Sequence, residues 1–165
     1  RLYSYDGFLF LITEDAIPPP KINEFGISVV SFAKRKKMRE IVIIGGLDNS
    51  LKNKSNDMRV IWTRAYKRDV NEEPLDPGLQ VVGPLASVLA HAEISNFPAL
   101  AILPYCHKNR PDPYAASVAI KKLNELYGLD VATDKLMVES KEIEEKIKRM
   151  IEQQKEKTDM GGMYR

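Results

Sequence analysis

The last residues of the chain have the types needed to bind a partner as a short peptide. Met163 is apolar, Tyr164 joins a packing ring to a hydroxyl, and Arg165 carries the terminal carboxylate. An aromatic ring can fill a pocket while its hydroxyl finds a hydrogen-bond partner, and lysine or backbone N–H groups can capture a carboxylate. Gly161 and Gly162 come just before and free the backbone, because glycine has no Cβ. The ending therefore predicts a docking segment behind a glycine hinge.

Two weaker patterns could indicate enzyme chemistry, and each also fits a purely structural role. Gly45 and Gly46 follow an apolar run, as in a phosphate-binding turn, but they lack a Walker loop or dinucleotide fingerprint and need only form a tight turn. Cys106 and His107 are adjacent, but neighbours on a strand point apart and no second cluster completes a metal site. We therefore expect no catalytic residue, no metal and no cofactor.

The composition fits one globular α/β domain. The chain has 165 residues, is 44% hydrophobic and 29% charged, and carries a formal net charge of +2. This near-neutral balance argues against nucleic acid or a membrane surface as partner. Cys106 is the only cysteine, so an internal disulfide is impossible and a reducing, cytoplasmic setting is expected. The chain opens at Arg1 almost directly into a strand, which we interpret as a domain lacking a leading segment.

Strand and helix patterns alternate along the first half of the chain. Residues 8–13 and 40–46 are apolar runs typical of strands buried on both faces. Between them, the proline-rich segment 16–20 predicts the start of a helix that closes with the basic residues 34–37. This order predicts a βαβ unit and hence a parallel sheet. Residues 59–65 predict an edge or antiparallel strand.

The second half contains helices with clear boundaries. A helix is predicted over 83–95 and a buried strand over 98–103, followed by a loop at the sheet edge where ligands usually bind. Asp112 is placed to cap the next helix, with Pro113 at its first position. Gly128 is placed to end it.

The final helix is predicted over 141–157, with a narrow apolar stripe. The stripe consists of Ile143, Ile147, Met150 and Ile151. A stripe this narrow suits packing on one neighbour, either the domain body or another subunit, while i,i+4 pairs such as Glu145 and Arg149 line the charged face. The sequence thus predicts one domain over 1–157, a flexible docking tail over 158–165, and an oligomer contact on the last helix.

Several short motifs follow one another in a distinctive order. They are EIVIIGGL at 40–47, GPL at 83–85, FPALAIL at 97–103, PDP at 111–113 and LYGLDV at 126–131. In this order they resemble the archaeal branch of the proteasome assembly chaperone family, over residues 8–154. The hydrophobic–Tyr–any-residue ending (HbYX) is similar to tails that dock on the α-ring of the proteasome core particle.

The resemblance implies a three-layer sandwich like that of nucleoside phosphorylases and hydrolases, with a mostly parallel central sheet and helices on both faces. It implies an assembly chaperone or adaptor that binds proteasome α-subunits through Met163, Tyr164 and Arg165. It also implies a homo-oligomer, with or without a paralogue. Two alternatives stay open. One is a gate-opening proteasome activator, and the other is an ATP-grasp-like carboligase or nucleoside-processing enzyme with a site near Gly45 and His107.

Overall fold

A tight turn at Asp6 and Gly7 opens the fold. The computed structural model describes residues 1–52 and 56–161, with side chains through residue 151. In it the turn joins strands β1 (Leu2–Tyr5) and β2 (Phe8–Leu11) in an antiparallel hairpin. Asp6 and Gly7 have φ of 44° and 76°. Two consecutive positive φ values are what a type I′ hairpin turn requires, and Asp-Gly is among the pairs that adopt them best.

This hairpin corrects the prediction for residues 8–13. We expected a strand buried on both faces that begins a βαβ unit, but β2 is half-buried at Phe8 and exposed at Leu11, and it pairs with β1 instead of entering the parallel sheet. A short apolar run is compatible with either arrangement. The turn decides between the two arrangements, because a two-residue turn reverses the chain and brings the strand after it alongside the strand before it.

The remaining elements alternate along the chain. The strands are β3 (Ile41–Ile44), β4 (Leu47–Asp48), β5 (Met58–Trp62) and β6 (Ala99–Cys106). The helices are α1 (Ile22–Arg35), α2 (Gly83–Ile94), α3 (Pro113–Tyr127) and α4 (Asp134–Gly161). β3 and β4 each run parallel to β6, which confirms the α/β class and the mostly parallel sheet.

Two compact units divide these elements. The first contains residues Arg1–Gly45 and Val60–Ile102, and the second contains Gly46–Arg59 and the chain from Leu103 onward. The boundaries fall between β3 and β4, within β5 and within β6. The single domain predicted for 1–157 stays a prediction.

In the first unit, β3 pairs with Ala99–Ile102, which are fully buried. β3 itself is half-buried and its last residue, Ile44, is exposed, so the prediction that it is buried on both faces is wrong. Among the described strands it has β6 on one side and none on the other. An edge position leaves part of each side chain open to solvent.

β5 pairs with β6, as the edge or antiparallel strand predicted near residues 59–65 requires. The N–H of Thr63 donates to the carbonyl of Ala99, and that of Tyr105 donates to the carbonyl of Asp57. From residue 57 to residue 63 the bonded partner changes from residue 105 to residue 99, so the two strands run antiparallel.

Helices α1 and α2 pack closely in the first unit. Gly26 of α1 is buried against Ser87 of α2, where an added Cβ would lie 2.8 Å from the carbonyl carbon of Ser87. The backbones can approach this far only because position 26 is glycine. Val30 and Ala33 of α1 are buried as well.

In the second unit, local signals set the bounds of α3. The Asp112 side chain accepts from the Ala115 N–H at 3.0 Å, Pro113 begins the helix, and Gly128 ends it with φ 64°, as predicted. α4 begins at Asp134, seven residues before the predicted start, and extends to Gly161. The described helix therefore includes residues 158–161, which the sequence assigned to the tail and its hinge. A single helical glycine costs only about 1 kcal/mol relative to alanine, so helix can continue to the Gly-Gly pair.

Candidate functional site

The loop after β6 is closed by one carboxylate in the second unit. Asp112 Oδ2 accepts from the His107 N–H at 3.0 Å, while Oδ1 accepts from the Ala115 N–H at 3.0 Å. Both oxygens therefore hold backbone groups, one at the end of the strand and one in the first turn of α3. Asp112 is a structural carboxylate that ties the loop to the helix.

The carboxylate of the last residue of β4 is also engaged locally. Asp48 Oδ1 accepts from the Ser50 N–H at 2.9 Å and from the Ser50 hydroxyl at 2.8 Å. These hydrogen bonds, helped by the nearby charges of Lys108 and His107, lower the pKa of Asp48. A carboxyl group held in its ionised form is a poor general acid.

A third carboxylate links the segment before β5 to α3. Asp57 Oδ1 accepts from Lys52 Nζ at 2.7 Å, and Oδ2 accepts from the Tyr114 hydroxyl at 2.9 Å. The bond from Lys52, more than that from Tyr114, lowers the pKa of Asp57. The same bond to Asp57 raises the pKa of Tyr114, so the phenol keeps its proton.

Cys106 lies half-buried at the end of β6, close to Gly46. An added Cβ on Gly46 would lie 2.5 Å from Cys106 Sγ, so a larger residue at position 46 would force the thiol to move. Burial, and then the negative charges of Asp112 and Asp48, raise the pKa of the Cys106 thiol. A protonated thiol is a weak nucleophile.

Of the strand-end residues singled out in the sequence, the structure brings Gly46 against Cys106 within the second unit. Gly45 and Gly46 lead into β4 and a short 3-10 turn, not an α-helix N-terminus. Within the described residues, no three His, Cys, Asp or Glu side chains are grouped so that they could hold a metal ion.

The stripe on α4 changes from buried to exposed along the helix. Ser140 is 7% exposed, Ile143 and Ile147 are half-buried, and Met150 and Ile151 are 61% and 49% exposed. The start of α4 packs on α3, where the Ser117 hydroxyl lies 3.2 Å from Met137 Sδ. The predicted pair Glu145–Arg149 forms an ion pair at 3.6 Å. The outer end of the stripe is therefore available for another contact.

The docking tripeptide lies outside the described residues. It consists of Met163, Tyr164 and Arg165, and Gly162 of the predicted hinge also lies outside the described residues. Their predicted role stays a prediction. Gly161 is the last described residue of α4.

Two features were missed in the sequence. One is the aromatic hairpin, which the Asp6-Gly7 dipeptide could have identified, because this pair between apolar runs is a strong hairpin signal. The other is the bond between Asp57 and Tyr114. No sequence pattern marks that bond, since its partners are far apart in the chain and meet only through folding.

Comparison with known sequences gives a family and a relative. The model of the PAC2 family matches residues 1–151. An uncharacterised protein of Methanocaldococcus jannaschii is 28% identical over 159 residues, which are 93% of this chain and 64% of the relative. The chain thus spans less than two thirds of the length of that relative. No helix in the described residues is both long and apolar enough to cross a membrane.

Solved structures share the fold. PbaA of Pyrococcus furiosus, described as an archaeal homolog of proteasome-assembly chaperone, superposes with a TM-score of 0.77 at 24% identity, over 99% of this chain and 71% of its own. PbaB of the same organism, described as an archaeal proteasome activator, gives 0.66 at 18% identity, over 83% and 62%. A Thermoplasma acidophilum protein of unknown function gives 0.64 at 24% identity, over 92% and 63%. Because the family model matches residues 1–151 of its 165, the chain belongs to the PAC2 family.

Proposed function

We propose that this protein is a proteasome assembly chaperone or adaptor that binds α-subunits of the core particle through its last three residues. The observation that carries the proposal is a Met163-Tyr164-Arg165 ending on a chain of the PAC2 family. The fold shared with PbaA, itself described as a homolog of a proteasome-assembly chaperone, supports the same direction.

The contact is one of shape and charge. Met163 fills an apolar pocket, the Tyr164 ring packs at its mouth, and the Arg165 carboxylate pairs with a lysine as a charge-assisted hydrogen bond. One such tail binds weakly, because ordering it costs conformational entropy. Several linked tails bind more tightly through their effective concentration if their spacing matches the α-ring.

Self-association supplies that linkage, and the α4 stripe is one surface for it. Ile143 and Ile147 are half-buried, whereas Met150 and Ile151 are exposed at the outer end of the stripe. Two side chains alone offer too little area for a stable interface, which needs about 1,200 Å². In this proposal α4 contributes to an oligomer, with or without a paralogue, together with another surface.

Gate opening in the finished particle is the second candidate, and the fold shared with PbaB, described as a proteasome activator, favours it. Peptide hydrolysis by mature particles separates the two roles. An activator raises the hydrolysis rate, while a chaperone leaves it unchanged and speeds α-ring formation from free subunits.

An enzymatic function has less support. The carboxylates near the strand ends already accept hydrogen bonds within the protein. Asp112 accepts from two backbone N–H groups, Asp48 from Ser50, and Asp57 from Lys52 and Tyr114. Burial and negative charge hold the Cys106 thiol in its protonated form by raising its pKa. We propose a binding protein that needs no cofactor.

A pull-down of α-subunits tests the tail. The intact chain is compared with a chain that ends at Gly162 and with the variants Tyr164→Ala and Tyr164→Phe. We expect truncation and Tyr164→Ala to abolish binding, and Tyr164→Phe to weaken it, because the phenyl ring remains. Arg165→Ala is the matched control, since any residue serves at the end if its carboxylate stays. Binding that survives truncation would assign the contact to the α/β body instead.

A further inference from the structure

Eight exposed cations lie together in the first unit. Residues 34–37 and Arg39 stand at the end of α1, and Arg64, Lys67 and Arg68 follow β5. We call these eight residues the basic face. They surround the place where α1 and α2 end and where the parallel strands β3 and β6 begin.

Two contacts bring the two segments of the basic face together. Lys34 Nζ donates to the carbonyl of Ser95, the residue after α2, at 3.0 Å. The Arg64 N–H donates to Glu93 Oε2 at 2.9 Å, and Glu93 lies in the last turn of the same helix. Both segments therefore meet at the C-terminal end of α2.

Few acids offset this positive charge. Glu93 accepts from Arg64, Glu40 pairs with Arg68 at 2.9 Å, and Asp69 follows in the chain. Eight cations and three acids give this region a formal charge of +5. Because the whole chain carries +2, the rest of it carries −3. The near-neutral composition thus conceals a strongly uneven distribution of charge.

The ordinary role of basic residues at a helix end accounts for little of this cluster. Cations are stabilised by the partial negative charge of a helix C-terminus, and Lys34 has this role through its bond to a carbonyl at the end of α2. Within the part of the chain that the structure describes, Arg35, Lys36, Lys37 and Arg39 form no ion pair. Like charges this close repel one another, and a bound anion relieves that repulsion.

We propose that the basic face binds an acidic segment of a partner protein, through charge-assisted hydrogen bonds from lysine and arginine to its carboxylates. This contact goes beyond the proposed function, because it needs neither the tail nor an oligomer.

The mixture of groups at the basic face favours a polypeptide over nucleic acid or an anionic membrane. Two helix C-termini, together with Glu40, Glu93 and Asp69, place negative charge among the cations. A phosphate backbone carries charge at short, regular intervals and meets these groups, whereas a polypeptide can present neutral residues to them. Ile94, the last residue of α2, is 79% exposed and offers an apolar contact that phosphates cannot use.

Fluorescence anisotropy with the 165-residue chain tests the basic face against labelled probes. These are a peptide of Glu-Glu-Leu repeats, its Gln-Gln-Leu counterpart, and an oligothymidine with the charge of the acidic peptide. We expect the acidic peptide to bind, the oligothymidine to bind more weakly, and the neutral peptide not to bind. Raising NaCl from about 0.1 M to about 1 M shortens the screening length from about 10 Å to about 3 Å, so binding should weaken by roughly 10-fold or more.

Neutralising three cations of the basic face locates the contact. Arg35→Gln, Lys36→Gln and Arg39→Gln, combined in one chain, should weaken binding of the acidic peptide by about 10-fold, since each exposed charge pair contributes roughly 2-fold. Glutamine is nearly as good a helix former as lysine or arginine. Thermal unfolding of the variant verifies that the fold is intact.

The matched control removes the same charge from the second unit. It combines Lys121→Gln, Lys141→Gln and Lys148→Gln at three exposed positions and should leave binding unchanged. Ile94→Gln should weaken the acidic peptide several-fold and leave the oligothymidine unaffected, because only the peptide has an aliphatic side chain to place there.

Failure of the acidic peptide to bind, or equal losses in the two triple variants, would overturn the proposal. Tighter binding of oligothymidine would overturn it too and assign the face to nucleic acid. Sedimentation with vesicles of phosphatidylserine and phosphatidylcholine covers the remaining class, since strong binding that the first triple variant loses would assign the face to a membrane instead. None of these assays involves α-subunits or changes the tail, so their failure and that of tail docking are distinguishable.

Discussion

The Tyr114 hydroxyl donates a 2.9 Å hydrogen bond to Asp57 Oδ2, which joins the first turn of α3 to the segment that enters β5. The other carboxylate oxygen of Asp57 accepts from Lys52, so one acid holds both a phenol and an ammonium group. Within the second unit, this arrangement fastens Lys52 and Asp57 to the first turn of α3. It also places the stability of that unit under the control of pH.

Tyr114→Phe should destabilise the protein by about 1 kcal/mol, because it removes one hydrogen bond to a charged acceptor that solvent partly screens. The ring remains, so packing changes little. Urea unfolding measures the difference. Tyr5→Phe, at a residue that is 76% exposed, is a control for removing a tyrosine hydroxyl. No loss in Tyr114→Phe would mean that water replaces the phenol at no cost.

Acid should remove the contribution of Asp57. The folded-state pKa of Asp57 lies below its ordinary value of 3.8, so its stabilisation is present above that value and is lost as pH falls through the lower folded pKa. The pKa of Tyr114 is raised from 10.0, so its contribution is full below pH 10 and is lost as pH rises further. The difference between wild type and Tyr114→Phe should therefore be constant from about pH 5 to 9. A steady slope across that range would contradict this assignment.

Gly26→Ala should destabilise the first unit by about 1–2 kcal/mol, although alanine favours helix. Its Cβ would lie 2.8 Å and 2.9 Å from the carbonyl carbon and oxygen of Ser87. Thermal unfolding measures the loss, with the exposed Ser28→Ala on the same helix as the control. Adding Ser87→Ala removes Ser87 Oγ, the atom nearest to the added Cβ, and should restore stability only in part, because the two backbone atoms remain. Full rescue would show that only the Ser87 hydroxyl is in the way.

Local signals in the sequence predicted some elements closely. Asp112, Pro113 and Gly128 set the bounds of α3, since capping, a first-turn proline and a left-handed glycine act within a few residues. The apolar run 8–13 misled the prediction because its length and composition suit a buried strand and a hairpin strand equally. The turn at Asp6-Gly7 held the deciding information.

Contacts between distant residues were beyond reach. The approach of Gly26 to Ser87 and that of Gly46 to Cys106 depend on how helices and strands meet. A glycine in a helix or at a strand end can equally well be tolerated without any such contact. The same limit applies to β6, which continues through Pro104 to Cys106 although the sequence indicated a loop from residue 104. A docking tail can be predicted from consecutive residues alone, and here it stays a prediction.

Asp112→Ala should destabilise the protein by about 1 kcal/mol, the usual cost of losing a helix cap. The change leaves the N–H groups of Ala115 and His107 without their carboxylate partner. Asp112→Asn is the matched control, because its side-chain oxygen can still cap the helix. Chemical unfolding of both variants measures the difference. Equal losses would show that charge, rather than capping, is what position 112 supplies.

Cys106 should react with iodoacetamide several-fold more slowly in the folded protein than in urea, because burial raises the pKa of its thiol and reduces the reactive thiolate. Alkylation at fixed pH, followed by mass spectrometry, gives both rates. The negative charge of Asp112 is the second cause of the raised pKa, so Asp112→Asn should speed alkylation; because its amide keeps one acceptor oxygen of two, it should lose less stability than Asp112→Ala. A folded rate equal to that in urea would mean that the thiol is exposed and unperturbed. That result would make Cys106 a candidate nucleophile at the end of β6.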